Sequence, residues 1–284
     1  MTTDARSTPE AGVLLRLAAP LQSWGRISHY NERDTAPFPT RSGVIGLLAA
    51  ALGRHRDEPV DDLATLAVTV RADRAGVLLR DLHTVGGGLP ARSTVTTAEG
   101  KKRSGDTTTL LTHRTYLADA VFTVALTSTA DTPDGLLEQA TGALLHPRWP
   151  LYLGRRSCPP EGPLFLGASD DVLHHLVHLP VAAPPPRPGR DPGITFTADQ
   201  PLSRLPVPPA LRTADAADGD APAGQINDQP ETFHPRERRY RARPVYQQTL
   251  RLPAEQYAGL GIASLQALHT YTTAHLTHLQ RSPR

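Results

Sequence analysis

Two short runs carry residue types suited to gripping an anion. The first is Thr40, Arg41, Ser42 and Gly43, at the start of a segment whose Val44, Leu47, Leu48, Ala51 and Leu52 recur at helical spacing. Thr40 or Ser42 can cap such a helix and Gly53 can end it; the first free N–H groups, with Arg41 beside them, then make a phosphate site. The second run is LYLGRRSCPP, Leu151–Pro160. Gly154 beside Arg155 and Arg156 can turn backbone N–H groups and two guanidiniums toward phosphate, with Tyr152 placed to stack on a base. Acid–base chemistry has a weaker case. His83, His113 and Tyr116 flank a long polar stretch and could act as general base and acid in RNA cleavage by a neighbouring 2′-hydroxyl, but their spacing shows no pairing. His174, His175 and His178 have metal-compatible spacing without a carboxylate motif or further cysteine, so no metal is expected. Cys158 has no evident base partner. No P-loop, G-x-S-x-G or H-E-x-x-H pattern occurs, and no cofactor is expected.

The elements that would position these residues can be read from periodicity. Gly12–Ala18 reads as a buried strand running into the loop PLQSWG, and Thr40–Gly53 as a helix. Leu66–Arg71 and Gly76–Leu82 read as strands joined by a tight turn, and Asp119–Thr127 as a strong strand. Gly135–Leu145 reads as a helix and Gly162–Ala168 as a final short strand. Between them, His83–Arg114 is too long and polar for a plain hairpin loop, with basic residues in GKKRSG (Gly100–Gly105), and suits an extended two-stranded arm. Without that insertion the order is βαββαβ. Beyond Val181 the chain changes character: a Pro-rich linker is expected over 181–193, and a disordered insertion over 207–232, which is rich in Ala, Asp and Gly. Ser264–Gln280 has a weak helical pattern.

Composition bounds the function class. With 284 residues, 39% hydrophobic and 20% charged, the chain suits a globular protein with a sizeable core. One cysteine excludes an internal disulfide and cysteine-ligated clusters, and suits a reducing cytoplasm. The apolar stretch Val44–Leu52 is too short to span a bilayer, and no membrane partner is expected. Net charge is only +2, yet basic residues gather at Arg92–Arg114, Arg148–Arg156 and Arg236–Arg243, while acids gather at Asp57–Asp62 and Asp215–Glu231. Such segregation suggests one anion-facing side.

Five strings in one order, LRLAAPLQSWG (Leu15–Gly25), FPTRSGVIGLLAAALG (Phe38–Gly53), RDLHTV (Arg80–Val85), THRTYLADAVFTVAL (Thr112–Leu126) and YLGRRSCPP (Tyr152–Pro160) followed by PLFLG, resemble the CRISPR-associated Cas-five family, and its type I-E branch in particular. The resemblance is dense over residues 12–170 and loose at Ile194–Pro201 and Phe233–Tyr246. It implies an α+β fold: a ferredoxin-like (RRM-related) RAMP domain over 11–180 with a protruding β-hairpin thumb at 81–116. A smaller, irregular β C-terminal region over 194–250 would follow, then an extension over 251–284.

Proteins of this branch are non-catalytic RNA-binding subunits of the Cascade surveillance complex. The resemblance therefore implies that this chain caps the 5′ handle of the mature CRISPR RNA. Its thumb would lie against the adjacent CasC backbone subunit and displace a nucleotide from the stack, the CasA large subunit would dock at the same end, and target DNA would be met indirectly through the complex. Repeat cleavage there belongs to CasE. Related type I-C proteins cut the repeat themselves, so a metal-independent endoribonuclease is the alternative. On this reading Gln22, Ser23, Trp24 and Gly25 offer a stacking ring and hydrogen bonds to handle bases. Thr40, Arg41, Ser42 and Gly43 hold phosphate; His83, His113, Arg114 and Tyr116 stand at the thumb base; and Tyr152, Gly154, Arg155, Arg156 and Ser157 form a glycine loop. The thumb, richer in Gly and Thr than the family pattern, is the main departure.

Overall fold

The computed structural model describes residues 8–277, apart from 27, 30, 87–89, 95–100, 103–108, 188, 190, 209–210 and 213–218. In chain order its elements are β1 (Gly12–Ala18), β2 (Leu21–Gln22), β3 (Ser28–His29), β4 (Glu32–Arg33), α1 (Arg41–Leu52), β5 (Ala67–Arg74), β6 (Val77–Val85) and β7 (Leu110–Ala118). They continue with β8 (Val121–Thr127), α2 (Leu136–Leu145), β9 (Phe165–Ser169), α3 (Val172–His178), β10 (Ile194–Ala198), β11 (Gly224–Thr232), β12 (Arg239–Leu250) and α4 (Gly261–His275).

Helix α1 starts and stops where its sequence says it should. Thr40 is extended and its hydroxyl accepts the Gly43 N–H, while Gly53 takes a left-handed conformation (φ 78°) and returns its N–H to the last turn. Strands β1 and β8 are mostly apolar, interrupted by Arg16 and by Thr123 and Thr127, and are buried along their whole length, as strands covered on both faces must be. Among the described residues the main sheet has the order β11-β12-β10-β5-β8-β1-β9, with antiparallel pairing throughout. Its last four strands are the four of the βαββαβ unit, in the order second, third, first, fourth.

Alternation along β1 sorts the core into two layers. Val13, Leu15 and Leu17 face α1 and α2, meeting Val44, Ile45, Leu48, Ala140 and Leu144. Leu14 faces the other way, into a cluster with Leu173 and Leu176 of α3, Phe196 of β10 and Leu268 of α4. Polar residues on that second face are also buried: Arg71 is 0% exposed, and it is tied to Asp73 (2.6 Å) and to the carbonyls of Leu176, Leu179 and Pro180.

The long insertion is a ribbon in which β6 pairs with β7 from Val77↔Ala118 to Val85↔Leu110. Its arms thus begin before Asp81 and end beyond Tyr116; most of GKKRSG lies outside the described residues. A small sheet, β2-β7-β4-β3, forms at its base.

Three sequence expectations change. Residues 194–250 are not a separate irregular β region: β10 adds to the free edge of β5 through Phe196↔Arg71 to Ala198↔Thr69, and β12 and β11 extend the same sheet. Residues 224–232, inside the stretch expected to be disordered, form β11; pairing with β12 and burial of Ile226 and Asp228 supply what its composition lacks. The start of the Pro-rich stretch is no free linker, because Val181 N–H donates to Gln256 and Val181 accepts from Ala258. No helix among the described residues is long and apolar enough to cross a membrane.

Candidate nucleic-acid interface

Arg155 organises the site. Its Nη1 donates to the Thr115 carbonyl (2.9 Å) and its Nη2 to the carbonyls of Arg33 (3.0 Å) and Asp34 (3.2 Å), while the guanidinium carbon lies 4.5 Å over the Tyr116 ring. One side chain thereby joins the glycine loop, β4 and the hairpin base, with a cation–π contact beneath it. The loop is closed by Leu153 N–H to Cys158 and Cys158 N–H to Arg155, and it is tied to the end of β2 by Ser23 N–H to Leu153. Gly154 has φ 93°, and a methyl there would collide with the Ser23 carbonyl oxygen, so only glycine allows this approach. Tyr152 is half-buried and accepts the Gly154 N–H at its carbonyl (2.9 Å). Among the described residues, the N–H groups of Arg155, Arg156 and Ser157 have no hydrogen-bond partner, and Arg156 and Ser157 are exposed. Successive free amides after a positive-φ glycine form a concavity suited to an anion.

The ribbon's register shows which residues share its faces. One face carries Asp81 opposite Arg114, His83 opposite Thr112 and Leu79 opposite Tyr116; β4 continues the Arg114 row with Arg33. The other carries Leu78, Arg80, Leu82 and Thr84 opposite Leu117, Thr115, His113 and Leu111. His83 is therefore on the same face as Arg114 and Tyr116, and it contacts the Asp81 carboxylate. His113 is on the reverse face, in register with Glu32, whose carboxylate meets Arg80 at 3.3 Å. Of the three acid–base candidates considered from sequence, His83 and Tyr116 share a face and His113 lies on the other. Leu78 (67% exposed), Leu82 (56%) and Leu111 (52%) form an apolar stripe on that reverse face.

Other expected site residues are placed inside the protein. Gln22 is fully buried: its Nε2 donates to the Leu17 and Ala120 carbonyls, and its Oε1 accepts from Trp24 Nε1 (3.0 Å). Trp24 is 1% exposed and packs on Gly43, where a Cβ would come within 2.7 Å of the indole. Neither can stack on or read a base, because a large ring with one polar tip gains more from a core site whose Gln accepts that tip. Ser23 is buried; Gly25 alone of this run is exposed.

Thr40 is used up as the cap and Ser42 lies beside it, 3.4 Å from its hydroxyl. Arg41 is buried, donates from Nη2 to the Ala64 carbonyl (2.7 Å) and pairs with Asp199. Burial, then the nearby Arg243, lower its pKa to about 10, against the pull of Asp228. The anion at the α1 N-terminus is the protein's own: Asp228 accepts the Arg41 N–H (2.7 Å) and is chelated by Arg243 Nε (2.6 Å) and Nη2 (2.9 Å). This segment thus locks β11 and β12 onto α1 and seats a carboxylate where the sequence suggested phosphate.

The same pairing revises the charge map. Glu231 meets Arg241 (2.7 Å) and Arg239 (3.9 Å), so acids and arginines interleave along β11 and β12. Arg33 is the site residue that sequence reasoning missed; β4 has two residues, too few for any periodicity to announce it. Burial raises the Cys158 thiol above its ordinary pKa and makes it a core residue. The described residues hold no group of three or more histidine, cysteine or acidic side chains arranged for a metal ion.

The sheet's second face, on which RNA-recognition motifs stack bases, is filled here by α3 and α4. With that face covered, the exposed glycine-loop residues beside β4 and the ribbon base are the candidate edge for a nucleic acid.

Comparison with known proteins identifies the family. Residues 12–246 match the family described as CRISPR-associated protein (Cas_Cas5). Over 183 residues the chain is 42% identical to the CRISPR system Cascade subunit CasD of Escherichia coli (strain K12), covering 60% of this chain and 77% of that protein. A chain from a solved CRISPR RNA-guided surveillance complex matches with a TM-score of 0.73 and 38% identity, over 92% of this chain and 99% of that one. A crystal structure of a Cas protein matches with a TM-score of 0.56 and 32% identity, over 88% and 98%. Because the family match takes in β1, the ribbon, the glycine loop and most of β12 together, the chain belongs to the CRISPR-associated Cas5 family.

Proposed function

We propose that this protein is a non-catalytic subunit of a type I-E Cascade complex that caps the 5′ handle of the mature CRISPR RNA. On this reading the βαββαβ unit is a ferredoxin-like RAMP domain and the β6–β7 ribbon its thumb. The observation that carries the reading is the convergence at Arg155: free loop amides, exposed Arg156, and the Arg33–Arg114 row meet at one edge. Exposed loop amides and guanidiniums can hold phosphate directly, whereas the His83 imidazole is engaged by the Asp81 carboxylate. The ribbon's two faces suit two partners: the Arg114 face toward RNA, and the Leu78–Leu82–Leu111 stripe toward a neighbouring protein subunit such as CasC.

Two measurements test this. Co-expression of the other Cascade subunits with and without this chain should show that guide RNA and CasA are lost without it; normal assembly would refute the capping role. Incubation of purified protein with labelled repeat RNA in EDTA should leave the RNA intact. Site-specific scission abolished by His83→Ala would establish the endoribonuclease alternative instead.

A further inference from the structure

The histidines of α3 have no part in the RNA-facing edge, yet they are gathered with another from the far end of the chain. His174 and His178 stack at 4.1 Å between ring centroids, and His175 meets His174 edge-on at 5.4 Å. From α4, Tyr271 Oη lies 3.1 Å from His175 Nδ1, and His275 lies 4.6 Å from the Tyr271 ring and 6.3 Å from the His175 ring. Helix α4 lies beyond residue 246, where the family match ends. Its own hold is slight: Leu268 is its one buried large apolar side chain, and no side chain caps its start. Just past it, Leu276 rests on Gly167, and Thr277 exchanges both backbone hydrogen bonds with Ala168 (2.9 and 3.1 Å) on the outer edge of β9. At its other end, Gln256 Nε2 donates to the Val177 and Leu179 carbonyls of α3.

We propose that residues 251–277 form a strap whose helix α4 is latched to α3 by this histidine–tyrosine cluster, closed at neutral pH and released by acidification. Neutral His175 and Tyr271 can share their hydrogen bond in either direction; once protonated, His175 can only donate to Tyr271 and is a cation among three other imidazoles. The charged groups around the cluster do little to offset this. Asp171, at the start of α3, favours the protonated forms of His174 and His175, while His178 and His275 oppose them, and Arg71 beneath the sheet adds positive charge near Tyr271. Burial first, and neighbouring histidines second, lower the pKa of both His174 and His175.

The cover of Tyr271 and the charge of a protonated His275, both from α4, disfavour protonation of His175 only while α4 is docked, so the docked form binds fewer protons than the released one. Docking is therefore strongest above the free value of about 6.5 and weakens as pH falls through it. Release would take Leu268 and Leu276 from the second core layer and leave the β9 edge unpaired.

Hydrogen exchange of the full-length protein, read as protection factors over residues 265–276 at pH about 7.5 and about 5.5, tests the latch. Protection there should fall about tenfold per pH unit for each proton taken up, while β1 and β8 keep theirs. Replacing His174, His175, His178 and His275 with Gln should keep protection flat across the range, and Tyr271→Phe should move release to higher pH. Protection of α4 in the native protein that does not change with pH would overturn the proposal. So would a loss shared equally by β1 and β8, or one that persists in the Gln variant.

Discussion

Asp228 offers the sharpest test of how the C-terminal strands are attached. It is 1% exposed, accepts the Arg41 N–H at 2.7 Å, and is chelated by an Arg243 whose side chain is 11% exposed. Asp228→Ala removes a carboxylate shared by the Arg41 N–H and the Arg243 guanidinium; Arg41 keeps Asp199, but among the described residues Arg243 has no other ion-pair partner. Breaking one partner out of a buried pair costs about 3–5 kcal/mol. At about 2 °C per kcal/mol for a chain of this size, the Tm should fall by about 6–10 °C. Calorimetry on the wild type, Asp228→Ala, Arg243→Met and the double variant closes a mutant cycle. The double variant should recover part of the loss, because the orphaned charge is gone. A fall below about 2 °C, or single effects that simply add, would refute the claim that Asp228 is the resident anion of the α1 N-terminus.

Other expectations follow from the site. Arg156→Ala should leave the Tm unchanged and weaken guide binding, lowering the salt slope of binding by about 0.7 if it meets one phosphate of a single strand, as a salt titration would read. Trp24→Ala should destabilise the fold by about 3–5 kcal/mol in a denaturant titration, because the ring is core; a stable variant with weakened RNA binding would restore a stacking role. Leu82→Asp should spare folding and RNA contact but reduce association with a neighbouring subunit in co-purification, since Leu82 is exposed on the face away from Arg114. Gly154→Ala should lower the Tm and disturb the loop, by strain of about 1–3 kcal/mol at its positive φ.

The βαββαβ order was legible because β1 and β8 are mostly apolar and the first helix carries its own cap and stop in Thr40 and Gly53. The glycine loop was legible because Gly154 beside two arginines is a local pattern. What could not be read were the partners of those residues. The Arg41 guanidinium looks the same whether it faces phosphate or Asp199, far along the chain. Trp24 looks like a stacking platform until Gln22 and Gly43 are seen to enclose it. Strand β11 escaped because Gly, Gln, Asn and Asp have weak strand preference; the long partner β12 supplies the template. Short α3 was read as a histidine cluster, since seven residues give too little periodicity to set against three histidines.

Protein–RNA crosslinking in an assembled surveillance complex containing this chain bears most directly on the capping reading. Guide 5′-handle nucleotides should crosslink to the Arg155–Ser157 loop and to Arg33 and Arg114, with none at Trp24 or Arg41, and the guide should be recovered at full length. Handle crosslinks confined to another subunit, or clustered on α1 while the glycine loop stays empty, would contradict it.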